Sequence, residues 1–546
     1  MIARCGWVPL GALWLCLGAM PGRGQDAVPP PPTPEGIEVQ ARGPVHEAFA
    51  GPTSEPVPTP AVPKQPPAAI DEIPPAEKPA GDMIWISGYW GYDDERKDFL
   101  WVSGTWRKAP PGKQWVAGYW REQGTDWQWV PGFWATASKQ DDKQEVTYLP
   151  APPAAPQMAA PIKPPSDDVF YVPGTWVWNG STYAWRNPHW ARIQPGYVWV
   201  PDHFRWTPAG YIHIVGYWDL PLKSRGILYA PVIISPSVVR VGFYYTPAYA
   251  VRDTIVVDAM FIRPTTCHYY FGDYYEPSYR TLGYESCVVY SSRNYDSIIV
   301  YERYERRRDP TWITFQVNVY NDRCSGRAVC PPRTLVQQQI NNTTIINNTT
   351  INNTTVNNTT VNNINMIAPP AQVAAAKSTT MVKIDDATRQ QARVQAATVQ
   401  QVAQQRVASE IPLAPGAPRQ ARVASLSVPN AQAVKPGMVA ARPTVSAASA
   451  AKPNPAMPAM RPVAATAPAR TVSTPMAPRS VSTPMAPRTG IQPVSARVPA
   501  PSPTQATRPA PSPTQATRPG TTPILRPSPV IPPKKPLPKR PPEKKD

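Results

Sequence analysis

A six-residue pattern, Trp-x-x-Gly-x-Trp, recurs through the middle of the chain at nearly constant spacing. Successive copies begin 16, 14, 14, 42, 14, 14 and 14 residues apart. A fixed period indicates a repeated structural unit whose faces are covered by its neighbours, and fourteen residues suit short strands joined by tight turns. The copies begin at Trp85, Trp101, Trp115, Trp129, Tyr171, Trp185, Trp199 and His213.

Turn signals between the copies predict antiparallel hairpins. Asn179-Gly180 separates two aromatic runs, and both residues accept the positive φ of a two-residue hairpin turn. Pro131-Gly132 suits a type II turn. The spacing of 16 adds two residues, which keeps the faces of the strands in register. We therefore predict a mainly β fold, an antiparallel meander of hairpin repeats of about 14 residues.

The repeated aromatic residues have two interpretations. Cross-strand aromatic pairs stabilise a sheet by up to about 1 kcal/mol each, so the indoles would form a structural core. Indoles that face outward would instead be stacking platforms for sugar rings. The even recurrence of both ends of the motif favours the structural role. The residues concerned are Trp85, Trp90, Trp101, Trp106, Trp115, Trp120, Trp129, Trp134, Trp176, Trp185, Trp190, Trp199 and Trp218.

The copy WVAGYW and its siblings resemble the WXXGXW (or YXWGXW) repeat family of exported bacterial proteins. The further segments HYYFGDYYEPSYR and PPRTLVQQQ are similar to those of planctomycete-type members. The resemblance covers about 85–340 and implies export and a repeated β fold, but no activity and no functional residues. The later copies depart from the pattern, with Pro188 and Asp202 at the glycine position and His213 at the first tryptophan.

The first residues predict export. Arg4 precedes an apolar run, and Gly22 and Gly24 lie at positions −3 and −1 before Gln25, which is typical of a secretory signal peptide over 1–24. A lipoprotein signal ending at Cys16 is the less favoured alternative, because Leu15 occupies a position that lipid modification needs small. No later apolar run predicts a transmembrane span after cleavage. We expect the periplasm, the cell envelope or the extracellular space.

The remaining composition predicts the order of segments. Proline-rich stretches with few aromatics bury too little apolar surface to fold, so we expect disordered arms. We expect one isolated helix and a Tyr-rich β segment, although YERYERRRDPTW also suits a short helix. We expect the Asn/Thr strip to be a stalk, an oligomerisation strip or a disordered segment. The predicted segments are a Pro-rich arm 25–81, repeat set one 82–135, a Pro/Ala-rich linker 136–168, repeat set two 169–220, the Tyr-rich β domain 221–335, the Asn/Thr strip 336–366, the helix 380–409 and a tail 410–546.

The positive charge of the chain lies in its C-terminal part. The formal net charge is +18, and the residues from Met366 onward carry 24 Lys and Arg against 5 Asp and Glu. Charges spaced along an extended arm act diffusely, which favours an anionic envelope polymer or glycan as partner rather than nucleic acid. Deletion of 410–546 is expected to leave the core folded. The sequence does not indicate an oligomeric state.

Four cysteines remain after signal cleavage, and an exported chain favours two disulfides. Of the three possible pairings we prefer Cys267–Cys287 with Cys324–Cys330, because they close the shortest loops. His189 and His203 share the fifth motif position in adjacent copies and are weak metal candidates beside Asp202. Exchange of one aromatic for another is the favoured explanation, so we predict no metal site and no cofactor.

The sequence contains none of the common catalytic motifs. There is no nucleophile elbow, P-loop, dinucleotide-binding glycine pattern or zinc-protease helix. We therefore expect a non-enzymatic envelope or surface protein, a β-repeat scaffold with a basic flexible tether. The alternative is a glycan-binding module that uses exposed Trp and Tyr platforms.

Overall fold

Short antiparallel strands dominate the computed structural model, which describes residues 32–138, 143–156, 164–253, 257–342, 364–412 and 420–428. All of these residues belong to one unit. The predicted mainly β, antiparallel fold is confirmed. The predicted signal peptide and most of the tail lie outside the described residues.

The residues before the repeats are ordered, so the prediction of a disordered arm is wrong over 32–81. Ala41, Val45, Ala48 and Phe49 are buried in the core. Each strand of this segment joins a partner distant in sequence, which local composition does not reveal. The strands are β1 Ile37–Val39, β2 Gly43–Pro44, β3 Ala61–Val62, β4 Asp71–Glu72 and β5 Glu77–Pro79.

Repeat set one forms eight strands. The outer strands of each pair of motifs bond to each other, and so do the inner ones, so two motifs make one long hairpin interrupted at both glycine positions. The strands are β6 Ile84–Ile86, β7 Tyr89–Asp93, β8 Asp98–Val102, β9 Thr105–Arg107, β10 Lys113–Val116, β11 Tyr119–Gln123, β12 Asp126–Val130 and β13 Phe133–Thr136.

Repeat set two has the same pairing. The hairpin predicted at Asn179-Gly180 is present, although its loop extends to Thr182, whose N–H donates to the Asn179 side chain at 2.8 Å. The predicted linker is wrong in part, because it contains β14. The strands are β14 Lys143–Leu149, β15 Val169–Val172, β16 Thr175–Trp178, β17 Tyr183–Arg186, β18 His189–Arg192, β19 Val198–Val200, β20 His203–Thr207, β21 Gly210–Ile214 and β22 Tyr217–Asp219.

The Tyr-rich segment begins as strands and continues as helices. The prediction of a Tyr-rich β segment is therefore wrong over SCVVYSS and DSIIVYERY, which form helices. Asp296 caps one helix by accepting from the N–H groups of Ile298 and Ile299. The elements are β23 Gly226–Leu228, β24 Val232–Ile234, β25 Tyr244–Tyr245, β26 Ala250–Val251, β27 Met260–Arg263, β28 His268–Phe271, α1 Pro277–Thr281, β29 Glu285–Ser286, α2 Cys287–Tyr290, α3 Ser297–Glu305 and α4 Trp312–Cys324.

The predicted C-terminal helix is present but not isolated, because Ala392, Ala396 and Val402 bury one face against the repeats. Its side chain cap is Asp385, which accepts from the Thr388 N–H. The described part of the Asn/Thr strip at 336–342 is helical, and 343–363 lie outside the described residues. The last elements are β30 Ile367–Ala368, α5 Pro370–Ala376, β31 Met381–Lys383, α6 Asp386–Ser409 and β32 Arg422–Ser427.

The strand β32 corrects the predicted extent of the tail. It pairs with β14 over six residues, and Leu426 and Val428 are buried in the core. The predicted start of the tail at 410 is therefore wrong for 410–412 and 420–428. Survival of the core after deletion of 410–546 stays a prediction, and that deletion would remove β32 and the buried Leu426. The strands β20, β21, β14 and β32 form one sheet, so the chain leaves the described fold beside repeat set two.

Candidate functional site

Two consecutive motifs form what we call a motif pair: pair one is 84–107, pair two 113–136, pair three 169–192 and pair four 198–219. The first residue of one motif lies opposite the sixth of the other, so Trp85 faces Trp106 and Trp90 faces Trp101. Both of these ring pairs meet edge to face with centroids 5.3 Å apart, a geometry that aromatic rings prefer. Every motif tryptophan of the described residues is buried or half-buried.

The motif glycine is required because an indole of the partner motif lies directly against it. A Cβ on Gly104 would lie 2.6 Å from Cζ2 of Trp85, and one on Gly118 would lie 2.5 Å from Cζ2 of Trp129. Gly132 does not have a positive φ, so the predicted type II turn at Pro131-Gly132 is wrong. Close packing, not turn geometry, selects glycine here.

A buried carboxylate occupies the space between the two glycines of pair one. Glu72, in β4 of the N-terminal segment, is 4% exposed. Its Oε2 accepts from the Gly88 N–H at 2.6 Å, and its Oε1 accepts from the Gly104 N–H at 2.9 Å and from Nε1 of Trp101 at 3.0 Å. Burial raises the pKa of Glu72 to about 7 against the opposing effect of these donors.

Glu47 has the same position in pair two. Its Oε1 accepts from the Gly132 N–H at 3.0 Å, and its Oε2 lies 3.4 Å from Nε1 of Trp129. Burial raises its pKa to about 7, while the Gly132 and Trp129 hydrogen bonds and the charges of Arg205 and Arg406 lower it. The sequence does not indicate the role of either glutamate, because neither lies in a repeated motif.

A guanidinium holds pair two from the other side of the same peptide groups. Arg406 of α6 is fully buried and donates to the carbonyls of Ala117 and Pro131, the residues before the two glycines, at 2.7 and 3.1 Å. Its charge is balanced by Glu410, with Nε 2.8 Å from Oε1. The peptide group between Pro131 and Gly132 is therefore bound at its carbonyl by Arg406 and at its N–H by Glu47.

Pair four supplies its own carboxylate. Asp202 stands at the first glycine position, and its Oδ2 would lie 3.0 Å from a Cβ on Gly216. His213 replaces the first tryptophan of the next motif and places Nε2 3.3 Å from Oδ1 of Asp202. Although burial opposes it, His213 and Arg186 lower the pKa of Asp202 to about 2. The carboxylate at the glycine position of one motif is thus paired with the imidazole at the first tryptophan position of the next motif.

Two buried histidines flank Glu47 in neutral form. Nδ1 of His268 lies 2.7 Å from the Thr266 carbonyl, which makes this nitrogen the donor, so Nε2 accepts from the Tyr89 hydroxyl at 2.9 Å. His46 likewise lies 3.1 Å from the Ser87 carbonyl through Nε2. Burial lowers the pKa of both His46 and His268 to about 4. These groups fix the Glu47 loop against β7 and β28.

The two histidines considered as metal ligands do not meet. His189 is exposed on β18, whereas His203 is buried on β20 in a different sheet, so the structure does not bring these two weak candidates together. Within the described ranges, no group of three or more His, Cys, Asp or Glu side chains is arranged to hold a metal ion.

The four cysteines are free thiols, so the predicted Cys267–Cys287 and Cys324–Cys330 bonds are wrong. Cys287 packs in the central core at the start of α2, whereas Cys267 is buried beside Ser54. Cys324 and Cys330 lie at the edge of a separate tyrosine cluster. Hydrophobic packing, rather than disulfide bonding, therefore holds the Tyr-rich segment.

The geometry defines a repeat protein whose unit is a pair of aromatic motifs closed on itself. A family model described as the WXXGXW repeat (2 copies) matches residues 82–107, 115–135 and 195–219, which correspond to motif pairs one, two and four. The chain is thus a tryptophan-rich, WXXGXW repeat-containing protein. No curated protein and no solved structure matches it. Among the described residues, no helix is both long and apolar enough to cross a membrane.

Proposed function

We propose that this chain is a non-catalytic, exported protein of the bacterial envelope or surface, in which the β-repeat body is a scaffold and the basic tail a tether. The main support for the proposal is that the motif residues bind and pack against other groups within the fold. Glu72 accepts from both glycine N–H groups of pair one, Glu47 accepts from the Gly132 N–H of pair two, and the indoles pack on each other. Groups bound inside the fold are not available to bind a ligand.

Buried ion pairs that join distant parts of the chain also support a scaffold. Arg107 of repeat set one donates to both oxygens of Asp219 of set two at 2.6 and 2.7 Å, and Arg225 lies 3.0 Å from the same carboxylate. All three side chains are at most 4% exposed. Removing one partner of such a network leaves a buried charge uncompensated, so the two sets are expected to move as one body.

The tail supports the tether through its sequence. Lys and Arg residues recur between prolines, with a denser cluster at Lys534, Lys535, Lys539 and Arg540. Spaced charges on an extended chain make many weak contacts that salt screens over about 8 Å at physiological ionic strength. An anionic envelope polymer suits such contacts, because they do not require a defined ligand shape.

Retention on envelope fractions tests the proposal. We expect the full chain to sediment with envelopes at physiological salt and to be released at about 1 M salt, where the screening length is about 3 Å. A chain ending at residue 428 keeps β32 and should be released at either salt concentration. Replacement of Lys534, Lys535, Lys539 and Arg540 by Gln should release the protein at an intermediate salt concentration, because the contacts are additive.

Two results would contradict the tether. If the chain ending at residue 428 stays bound, or if retention is independent of salt, the body itself is the binding surface. Competition by neutral oligosaccharides would then support the glycan-binding alternative.

A further inference from the structure

An extended proline-rich segment of this chain, residues 66–76, is bound by motif pair one through four donors: Nε1 of Trp90, Nε1 of Trp101 and the N–H groups of Gly88 and Gly104. Nε1 of Trp90 donates to the Ala68 carbonyl at 2.9 Å. Four residues later, Glu72 accepts from Nε1 of Trp101 at 3.0 Å and from the Gly88 N–H at 2.6 Å. Pair one therefore recognises a backbone carbonyl and a glutamate side chain at fixed spacing.

Motif pair three repeats this donor set. Trp176 lies opposite Trp185 as Trp90 lies opposite Trp101. Gly174 has the position of Gly88, since a Cβ on it would meet the Trp185 ring and the carbonyl across the strand, as in pair one. The second glycine position is Pro188, which has no N–H and cannot replace the Gly104 donor, so three of the four donors that hold residues 66–76 in pair one have counterparts.

The two indole donors of pair three lack an acceptor in the part of the chain that the structure describes. Nε1 of Trp176 and Nε1 of Trp185 are both buried and without a hydrogen-bond partner there. Both residues and Gly174 line a cleft of about 470 Å³. Nε1 of Trp85, Trp106 and Trp199 also lacks a partner, but Trp85 and Trp106 are 2% and 0% exposed within a core cluster, and Trp199 does not line this cleft. A donor that is buried beside a cleft without an acceptor points to a ligand.

The cleft is suited to an extended peptide. Its walls include Pro56, Pro153, Pro173 and Pro201, from four segments of the chain, and the aromatic residues Trp176, Trp185 and Tyr211. Aromatic-lined grooves are what extended proline-rich peptides bind. Asp202 also lines the cleft, but Arg186 compensates its charge at 2.5 Å, and the other carboxylate, Glu55, is exposed.

We propose that motif pair three binds an extended, proline-rich, glutamate-containing segment of another protein. Trp176 donates to a backbone carbonyl of that segment, and Trp185 and Gly174 donate to a glutamate side chain four residues further on. This site is independent of the tail, so its failure and the failure of the tether are separately visible.

A peptide with the sequence of residues 66–76, PPAAIDEIPPA, is the direct probe. Its binding to the full chain is measured by fluorescence anisotropy. We expect saturable binding that weakens at least tenfold when the peptide glutamate is replaced by glutamine, or when the protein carries Trp185→Phe. Trp178→Phe is the matched control, because Trp178 lies on β16 outside this cleft, and it should leave the affinity unchanged.

Three outcomes would overturn the proposal. The first is no saturable binding at about 1 mM peptide, and the second is equal affinity for the glutamate and glutamine peptides, a comparison that needs no protein variant. The third is binding to a chain ending at residue 428 but not to the full chain, which would show that the protein's own tail occupies the cleft. The unfolding temperature of the Trp185→Phe variant is measured as well. If it is unchanged, the loss of binding is due to the missing indole N–H and not to a loss of the fold.

Discussion

Gly104 lies where an added methyl group has no space. Its Cβ would lie 2.6 Å from each of three atoms: Oε2 of Glu72, the Ile86 carbonyl oxygen and Cζ2 of Trp85. Since overpacking of a core costs about 1–3 kcal/mol, we expect Gly104→Ala to lower the free energy of unfolding by at least about 2 kcal/mol. Gly51→Ala, whose nearest contacts would be 3.4 and 3.5 Å, is the control. Equal effects in chemical denaturation would contradict the role of the motif glycine.

Glu72 predicts a dependence of stability on pH. Its pKa rises from an ordinary 4.5 to about 7 in the folded chain, so the folded state keeps a proton that the unfolded state releases. The stabilisation from this proton is complete below pH 4.5 and is lost as the pH rises to about 7, a change of about 3 kcal/mol.

The comparison with Glu72→Gln isolates this effect. The difference in unfolding free energy, wild type minus variant, should fall between pH 4.5 and 7 and then stay constant, as measured by urea denaturation. Glu122→Gln, at an exposed position, controls for the general effect of removing a carboxylate. A pH-independent difference would mean that Glu72 is ionised throughout.

At the scale of elements, the strands of the repeats were predictable, whereas those of the N-terminal segment were not. Aromatic alternation and the signal at Asn179-Gly180 are local, and they predict β16 and β17 correctly. The five strands of the N-terminal segment are only two or three residues long and pair with strands far away in sequence, such as β1 with β24. Their composition resembles that of a disordered arm, since the stabilising contacts are all long-range.

The candidate site was predictable in the same partial way. The motif tryptophans were identified from their spacing, because packing requires them in every copy. Nothing in the sequence connects the other site residues to the motif, because they lie in segments that do not repeat. These residues are Glu47, Glu72 and Arg406. The helices α2 and α3 were predicted as strands, because buried Val, Ile and Tyr residues suit either structure and the cap at Asp296 was not recognised.

The helix α6 and the strand β32 predict where the chain can be shortened. A chain ending at residue 428 keeps Glu410 and should unfold at the temperature of the full chain. A chain ending at residue 409 loses Glu410 and leaves the fully buried Arg406 without its charge partner, which typically costs about 3–5 kcal/mol. Thermal unfolding of both chains, with Arg308→Ala at an exposed position as the control, measures this. Equal stability of the two truncated chains would contradict the assignment of β32 to the fold.

At the scale of the whole molecule, export is the premise of the proposed function. Arg4, the apolar run and Gly22 with Gly24 predict that the mature protein begins at Gln25. N-terminal sequencing of protein recovered from its native cells measures this directly. An intact Met1, or a lipid on Cys16, would contradict it.

The described residues form a body closed around its own carboxylates, and the proposed function assigns the envelope contacts to the charged tail. The motif pairs are expected to stabilise the fold. The tail is expected to provide affinity for the envelope, and pair three is expected to select a proline-rich partner. Loss of one contribution should therefore leave the other two measurable.

The central claim is that the motif tryptophans act inside the fold, and hydrogen exchange of their indole N–H groups tests it most directly. In the full chain labelled with ¹⁵N-tryptophan, we predict slow exchange for Trp101, which donates to Glu72, and for Trp129, which faces Glu47. Glu72→Gln should shift the Trp101 signal and leave Trp129 unchanged. Fast exchange at both tryptophans, slowed only when envelope glycan is added, would contradict the account and make the motifs a sugar-binding surface.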